Sequence, residues 1–343
     1  MIIEKARDLN LLNTFRVPAT ASYYAKITTK SELIEALTFA DRNNLPIKTI
    51  GDGSNTLFVD DYPGLIIHIA NKGIVWQHEK GANKQQVIVS SGEKWHSLVV
   101  SSLAKGLYGL ENLALIPGTV GAAPIQNIGA YGAEIKDHVV ELEVFDREQQ
   151  QWLTLSREDC EFDYRDSLFR RSDSNPYIIF KVTFELAESW TPNLRHKDLL
   201  NKFSGKDVTA NDVFSEVCKI RRRKLPDLNS LPNAGSFFKN PLVSFEKIEK
   251  LRAKFPGING FPTHRAGFQK ISAAWLLEEL GWKGKVQGGA GVYKNHSLVI
   301  VNNGNATGKD IRLLARNMGD SVLERYGIDL ELEVGLVSLR PNN

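Results

Sequence analysis

The chain has 343 residues, of which 42% are hydrophobic and 24% are charged. This length suits two or three domains rather than one, and the composition is that of a soluble globular protein. The formal net charge of +3 is too small to indicate a nucleic-acid or membrane partner, but it is compatible with an anionic small substrate.

The two cysteines, Cys160 and Cys218, form neither a CxxC metal pair nor a disulfide framework. We therefore expect a reducing compartment and no metal site. No apolar stretch reaches 18 residues, and no apolar run follows a basic start, so we expect neither a membrane segment nor a signal peptide. The expected protein is a cytoplasmic monomer without nucleic-acid or membrane partners.

The first 70 residues predict a small α/β unit. Residues 29–32 form a capping-box pattern that begins a helix, and residues 45–50 and 65–69 predict strands. Between the strands lies the turn Gly51-Asp52-Gly53-Ser54-Asn55, whose backbone N–H groups can bind phosphate. The turn lacks the GxGxxG spacing and no helix follows it, so a Rossmann fingerprint describes it poorly.

Residues 71–222 predict a second α/β unit that contains an unusual run of small residues. The run 116–132 has four glycines, three alanines and two prolines, so it can bury little side-chain area. This composition favours close approach of the backbone to a flat ligand or cofactor. A flexible linker, the alternative, would contain more serine and charge and less isoleucine and valine. Gln126, Asn127 and Tyr131 supply hydrogen-bonding groups within the run.

The second half of this unit contains basic residues with two competing interpretations. Arg165, considered alone, is typical of an ion-paired surface arginine. Residues 156–159 form another capping box, and residues 187–210 are polar and predict an irregular, mobile loop.

Residues 209–212 then cap a helix that ends in four cations at 221–224. The helix macrodipole favours these cations, whereas nucleic-acid binding, the alternative, lacks an aromatic platform. We single out Lys224 as a candidate for binding an anionic substrate.

The segment Asn233-Ala234-Gly235-Ser236-Phe237-Phe238-Lys239-Asn240-Pro241 combines a small-residue turn with a hydroxyl, two aromatics, a cation and an amide. Ser236 can donate or accept a proton, and Lys239 and Asn240 can hold an anionic, oxygen-rich molecule. A turn followed by a short strand is the structural alternative. Near the C-terminus, residues 328–334 alternate as a strand that places Glu331 and Glu333 on one face. The pattern does not separate these two carboxylates.

Five segments in this order resemble the UDP-N-acetylenolpyruvoylglucosamine reductase family of bacterial peptidoglycan precursor synthesis. They are residues 50–55, 117–132, 164–167, 233–241 and 330–334, and the resemblance extends over nearly the whole chain. The resemblance implies an α+β fold, with a two-part FAD-binding region of the vanillyl-alcohol-oxidase (PCMH) type and a separate α/β substrate-binding domain. The expected parts are FAD-binding lobes at 1–70 and 71–222, a substrate-binding domain at 223–326, and a C-terminal strand at 327–343.

The resemblance also implies a reaction and a set of site residues. NADPH reduces a non-covalently bound FAD, which then transfers hydride to the enolpyruvyl ether of a UDP-sugar. Arg165 and Glu333 are implied as the electrostatic pair at the substrate carboxylate, and Ser236 as the proton donor. Tyr164, Lys224, Asn240 and His196 are implied near the substrate. The residues implied to contact FAD are Gly51, Gly53, Ser54, Asn55, Pro117, Gly118, Thr119, Gly121, Gln126, Asn127, Gly129, Ala130 and Tyr131.

One position departs from the family pattern. The longer form of the family carries a mobile tyrosine that closes over the sugar nucleotide, and His196 stands at the matching position here. Arg195 or Lys197 are neighbouring alternatives for contacting the diphosphate. Two other functional classes stay open: a flavin protein or oxidase of the same superfamily without this reductase chemistry, and a nucleic-acid-binding protein that uses residues 221–224.

Overall fold

A computed structural model of the chain describes residues 1–77, 83–171, 175–263 and 265–338. The chain divides into two compact units. Unit 1 contains Met1–Arg7, Ala21–Asp52 and Pro63–Arg223, and unit 2 contains Asp8–Thr20, Gly53–Tyr62 and Lys224–Asn343. Two short N-terminal segments therefore belong to the C-terminal unit. The finer division at 70, 222 and 326 stays a prediction, and residues 339–343 of its last part lie outside the described residues.

The helices of the described ranges follow the apolar periodicity and capping residues of the sequence. They are α1 (Lys30–Arg42), α2 (Trp95–Ala104), α3 (Lys197–Phe203), α4 (Ala210–Lys224), α5 (Phe245–Lys254), α6 (Ala273–Glu279) and α7 (Gly308–Tyr326).

The strands are mostly short, and many are bounded by glycine or proline. They are β1 (Ile3–Asp8), β2 (Thr20–Ile27), β3 (Ile47–Ile50), β4 (Thr56–Phe58), β5 (Tyr62–Ile69), β6 (Ile74–Gln77), β7 (Lys84–Ser90), β8 (Gly129–Ala130), β9 (Ala133–Glu134), β10 (Val139–Asp146), β11 (Gln151–Ser156), β12 (Tyr177–Ala187), β13 (Asn233–Ser236), β14 (Leu242–Ser244), β15 (Gly260–Phe261), β16 (Phe268–Ile271), β17 (Val286–Gln287), β18 (Ala290–Val292), β19 (Val299–Asn302) and β20 (Gly335–Val337).

Unit 1 contains two sheets of different character. The first has the order β1-β2-β5-β3, with β3 and β5 parallel, and buried residues of α1 share a core with β5. The second has the order β11-β10-β12-β7-β6, and its strand pairs are antiparallel. The predicted capping box of α1 is confirmed, because the Glu32 N–H donates to Thr29 Oγ1 over 3.2 Å and the Thr29 N–H donates to the Glu32 carboxylate over 3.0 Å.

Two local predictions for unit 1 are wrong. Ser156 and Asp159 make the reciprocal hydrogen bonds of a capping box, but only a turn follows, since Glu161 has a φ of 45° that a right-handed helix cannot contain. The predicted irregular segment 187–210 contains the helix α3, which begins after His196 and buries Leu199. The helix was missed because the segment is mostly polar and only Leu199 of α3 is buried.

Unit 2 is built from short sheets and the long helix α7. One sheet has the order β13-β19-β18-β17, and another has β14-β16-β15. Thr307 and Asp310 form a capping box that begins α7, and Gly327 ends the helix in the left-handed conformation. The Phe237 ring lies in the core of this unit, with its centroid 6.1 Å from that of Phe15.

The predicted strand at 328–334 is wrong. Its apolar residues Leu330 and Val334 are buried as expected, but only Leu332 pairs, in a single bridge to Phe238. The ladder does not lengthen, because at one end the Gly335 N–H donates to the Asn55 carbonyl over 3.0 Å instead, and at the other end Pro241 has no N–H to donate. The regular strand begins later, as β20, and runs parallel to β4.

Candidate active site

The glycine-rich turn 51–55 follows β3, as the sequence predicted, but it leads first into β4, a short strand that the sequence did not predict, and then to β5. In unit 1, a Cβ added to Gly51 would lie 2.3 Å from Thr119 Oγ1, so a larger residue would collide with the small-residue run. The Asp52 carboxylate accepts a hydrogen bond from the Lys94 ammonium over 2.6 Å. In unit 2, the Asn55 side chain donates to the Glu333 carbonyl over 3.0 Å. Both parts of the turn are therefore tied to segments that carry other predicted site residues.

The run 116–132 is ordered by backbone hydrogen bonds to the turn that precedes α2. The Trp95 N–H donates to the Gly118 carbonyl over 3.0 Å, and the Val120 N–H donates to the Glu93 carbonyl over 2.8 Å. The Gly121 N–H donates to the Ser91 carbonyl over 2.9 Å. This packing excludes the flexible-linker interpretation.

Asn127 connects the run to the segment that carries Arg165. It is fully buried, has a φ of 43°, and its amide nitrogen donates to Glu134 over 2.9 Å and to the Asp163 carbonyl over 2.8 Å. Its amide oxygen accepts from the Lys136 N–H over 3.2 Å. The side chain of this predicted FAD residue is thus occupied in holding the fold of unit 1.

Arg165 lies at the tip of a tight turn. Asp163 and Asp166 exchange backbone hydrogen bonds of 3.0 and 3.2 Å, and Arg165 between them has a φ of 51°. Its guanidinium donates to the Gly129 carbonyl and lies 5.4 Å from the ring centroid of Tyr164. The structure therefore brings Tyr164 and Arg165 to the edge of the small-residue run.

Arg221 is a residue of this region that the sequence did not single out. Its Nε atom is buried and has no hydrogen-bond partner among the described residues. Burial lowers the pKa of Arg221, and the Arg165 guanidinium lowers it further, although the Tyr131 phenol and the Cys218 thiol raise it. The spacing did carry a signal, because Arg221 follows Val217 and Cys218 by four and three positions on the apolar face of α4.

Tyr131 and His196 pack together in unit 1. Their ring centroids are 4.9 Å apart in an edge-to-face arrangement, and burial raises the pKa of Tyr131. Asn112 fixes the backbone here by donating to the Tyr131 carbonyl over 2.8 Å. His196 is also the N-cap of α3, since its Nδ1 accepts from the Asp198 N–H over 3.2 Å.

In unit 2, Ser236 ends β13 opposite Val299 of β19 and is half-buried. The preceding Gly235 has a φ of 73°, which favours glycine, although a Cβ there would meet no atom within 4 Å. The Gly235 N–H donates to the Asn233 side chain over 2.9 Å, and the Phe237 N–H donates to the Leu298 carbonyl over 2.8 Å. The hydroxyl of Ser236 therefore sits on a backbone that is held on both sides.

The structure distinguishes the two carboxylates that the sequence pattern left equivalent. The Glu331 carboxylate bonds the Lys239 ammonium, whereas the Glu333 N–H donates to the Phe237 carbonyl over 2.8 Å. Glu333 is half-buried and lies on the segment that pairs next to Ser236. The Glu331 carboxylate is therefore paired within unit 2, and the backbone of Glu333 is fixed beside Phe237.

Asn240 and Lys224, the other predicted substrate residues of unit 2, have defined surroundings. The Asn240 side-chain oxygen accepts from the Ala273 N–H over 3.0 Å, which links it to the first residue of α6. Lys224 is the half-buried last residue of α4. The pKa of His296 is lowered by burial and then by the Lys224 ammonium.

The predicted site residues thus fall into two groups. Those in unit 1 are Gly51, Pro117, Gly118, Thr119, Gly121, Gln126, Asn127, Gly129, Ala130, Tyr131, Tyr164, Arg165 and His196, and those in unit 2 are Gly53, Ser54, Asn55, Lys224, Ser236, Asn240 and Glu333.

Two family models match the chain. One, described as an FAD binding domain, matches residues 21–155, and the other, described as the UDP-N-acetylenolpyruvoylglucosamine reductase C-terminal domain, matches residues 226–337. The UDP-N-acetylenolpyruvoylglucosamine reductase of Ralstonia nicotianae is 42% identical over 326 residues, which cover 94% of this chain and 95% of that protein. The chain belongs to the UDP-N-acetylenolpyruvoylglucosamine reductase family.

Further relatives agree with this membership. The UDP-N-acetylenolpyruvoylglucosamine reductase of Pseudomonas putida is 41% identical and covers 96% of this chain and 97% of that protein. The crystal structure of UDP-N-acetylenolpyruvylglucosamine reductase from Thermus caldophilus aligns with a TM-score of 0.68 at 26% identity, over 98% of this chain and 100% of that one. The predicted family is confirmed, and so is the predicted α+β fold with an FAD-binding region of the vanillyl-alcohol-oxidase type.

The residues of unit 1 fit a bound FAD in shape. The run 116–132 presents backbone with few bulky side chains, which allows close approach of a flat ring system. Among residues 1–77, 83–171, 175–263 and 265–338, no group of three or more His, Cys, Asp or Glu side chains could hold a metal ion. Over the same ranges no helix is both long and apolar enough to cross a bilayer.

Proposed function

We propose that this chain reduces UDP-N-acetylglucosamine enolpyruvate to UDP-N-acetylmuramate in peptidoglycan precursor biosynthesis, with FAD as cofactor and NADPH as reductant. Membership of the family supports the reaction. One observation in the structure carries the proposal: the hydrogen bond from Glu333 to Phe237 holds a carboxylate and the Ser236 hydroxyl on adjacent, paired segments. A proton donor beside a charged group is what addition to an enolpyruvyl ether requires.

The residues of the chain divide the work of this reaction. When bound, FAD supplies the hydride chemistry. Hydride addition at the terminal vinyl carbon leaves negative charge on the neighbouring carbon and its carboxylate, to which Ser236 donates a proton. A serine is a poor acid at its free pKa, so its neighbours must be preorganised. Arg165 in unit 1 and Glu333 in unit 2 orient the substrate carboxylate and stabilise its developing charge.

Other residues bind the substrate and the cofactor. Lys224 and Asn240 in unit 2, and Tyr164 and His196 in unit 1, bind the UDP-sugar. The glycine-rich turn 51–55 and the run 117–131 hold FAD through backbone groups. The enzyme works as a cytoplasmic monomer without nucleic-acid or membrane partners.

Anaerobic titration of the purified protein tests this function. NADPH should bleach the flavin absorbance, and the enolpyruvyl UDP-sugar should restore it without oxygen. Recovery of the flavin colour by oxygen alone would instead identify an oxidase of the same superfamily. A protein that binds no flavin would contradict the proposal altogether.

The FAD is expected to be bound without a covalent link. Neither histidine nor cysteine occurs at 50–55 or 116–132, the segments expected to lie against the cofactor. Both cysteines are buried, and burial raises the pKa of Cys160 to about 12 and also raises that of Cys218, so neither thiol is reactive. Acid precipitation should release all the yellow colour, and colour retained in the precipitate would contradict this prediction.

A further inference from the structure

Lys239 contacts the segment of Glu333 through both its backbone and its side chain. The Lys239 N–H donates to the Glu331 carbonyl over 2.9 Å, and the Lys239 ammonium bonds the Glu331 carboxylate. Residue 331 is therefore tethered at two points by a single residue. Glu333, two residues further on, has its N–H bonded to the Phe237 carbonyl and its carbonyl bonded to the Asn55 side chain.

The burial of this ion pair is asymmetric. The side chain of Lys239 is 9% exposed and that of Glu331 is 69% exposed. An exposed pair would contribute little, but a buried ammonium is strongly unfavourable unless it is paired. The Lys239 ammonium therefore constrains the Glu331 carboxylate to one position, although that carboxylate itself faces solvent.

We propose that Lys239 is a positioning residue that acts through Glu331 to aim the side chain of Glu333. Glu331 and Glu333 flank Leu332, the residue that pairs with Phe238, and the hydrogen bonds on either side of this bridge fix the backbone of both glutamates. The backbone bonds to Phe237 and Asn55 fix where Glu333 sits, and the Lys239 pair prevents the segment from rotating. This inference rests on the proposed reaction, in which Glu333 must meet the substrate carboxylate.

The test uses Lys239→Met, which removes the ammonium but keeps an apolar stem, and Glu331→Gln, which changes an exposed side chain and should leave the fold intact. Each should slow reoxidation of the reduced flavin by saturating UDP-sugar about 10- to 100-fold, as expected for a misplaced catalytic group. The Michaelis constant for the UDP-sugar and the rate of reduction by NADPH should stay within about twofold of wild type. The double variant should slow reoxidation no more than either single variant, because both changes break the same contact.

A third variant, Glu333→Gln, tests whether Lys239 affects the reoxidation rate by way of Glu333. In Glu333→Gln, adding Lys239→Met should produce no further slowing. Isothermal titration of the oxidised protein with UDP-sugar should show binding unchanged in Lys239→Met. The matched control is Glu246→Gln with Lys250→Met, an exposed pair on α5 whose side chains are 78% and 74% exposed. This control should not change either half-reaction.

The outcomes separate the inference from the function on which it rests. A wild-type protein that NADPH reduces but UDP-sugar cannot reoxidise overturns both. Normal wild-type turnover with unchanged reoxidation in Lys239→Met and Glu331→Gln overturns only the positioning role. Additive losses in the Glu333→Gln background, or equal slowing of both half-reactions, would make the pair a general stabiliser of unit 2 and refute the proposal.

Discussion

Two cations, the buried Lys239 of unit 2 and the half-buried Arg221 of unit 1, are compensated in opposite ways. Lys239 in unit 2 is paired with the carboxylate of Glu331. Arg221 in unit 1 has a buried Nε that finds no hydrogen-bond partner in the part of the chain that the structure describes, and the titratable groups that shift its pKa there are Tyr131, Cys218 and Arg165, none of them a carboxylate. Burial raises the pKa of Tyr131 and of Cys218, so both are neutral near pH 7.

This difference in pairing indicates a different role for each cation. A buried charge that is paired within the protein is part of the scaffold and keeps its neighbours in place. A buried charge without an internal counterion lowers the stability of the ligand-free protein, and an anionic ligand can recover that free energy on binding. We therefore expect changes in the paired segments of unit 2 to alter the rate of the reaction, and changes at Arg221 to alter affinity.

The largest expected effect is at Ser236. Ser236→Ala should slow reoxidation by the enolpyruvyl UDP-sugar by about 10²- to 10⁴-fold, the usual effect of losing a general acid. Reduction by NADPH should proceed as before, because that step needs no proton at the substrate carbon. Stopped-flow absorbance of the flavin measures each half-reaction separately.

Two further variants test whether Ser236 acts as a proton donor. Ser236→Cys should recover part of the rate, since a thiol can also donate a proton. Ser244→Ala, which removes a hydroxyl that caps α5 in the same unit, should leave both half-reactions unchanged. Equal slowing of both steps in Ser236→Ala would make this serine a binding or structural residue.

The next effect is on affinity, at Arg221. Arg221→Met should raise the Michaelis constant for the UDP-sugar about 10- to 150-fold, which corresponds to the ~1.5–3 kcal/mol of a hydrogen bond to a charged group. The same change should raise the melting temperature of the ligand-free protein, because it replaces a guanidinium whose pKa is lowered by burial with an apolar side chain. Steady-state kinetics and thermal unfolding measure the two effects.

Arg222→Met is the matched control for Arg221, because it removes a guanidinium from the adjacent, exposed position of α4. It should change neither the Michaelis constant nor the melting temperature. If Arg221→Met lowered the melting temperature and left the Michaelis constant unchanged, Arg221 would be a structural cation like Lys239 and the contrast between the units would disappear.

The sequence predicted the elements that local chemistry determines. The capping box at Thr29 begins α1 where its residue types indicated. The error at 328–334 has a different origin. Alternation predicted correctly that Leu330 and Val334 are buried, but strand pairing depends on distant partners, and here Pro241 lacks an N–H while Gly335 bonds to Asn55 instead.

The site shows the same limit. The motifs pointed to Ser236, Arg165 and Glu333. Only the three-dimensional contacts show that the Asn127 amide donates to Glu134 and Asp163, and that the Glu331 carboxylate bonds Lys239. A residue type states which bonds a side chain can make. Which of them it makes is decided by neighbours far away in the chain.

The smallest expected effect is at His196, where two roles overlap. His196→Ala should raise the Michaelis constant for the UDP-sugar about 2- to 10-fold, on the scale of ~0.5–1.5 kcal/mol for one aromatic contact. The change removes both the ring against Tyr131 and the acceptor that caps α3. Reduction of the flavin by NADPH should be unaffected.

His196→Asn separates these roles, because asparagine is a good N-cap but has no ring. If the ring contributes to substrate binding, His196→Asn should keep the melting temperature of wild type and the raised Michaelis constant of His196→Ala. Recovery of both quantities would assign His196 to the cap alone, and the closing contact with the sugar nucleotide would then belong to a neighbour such as Arg195. An unchanged Michaelis constant in both variants would show that His196 does not contribute to UDP-sugar affinity.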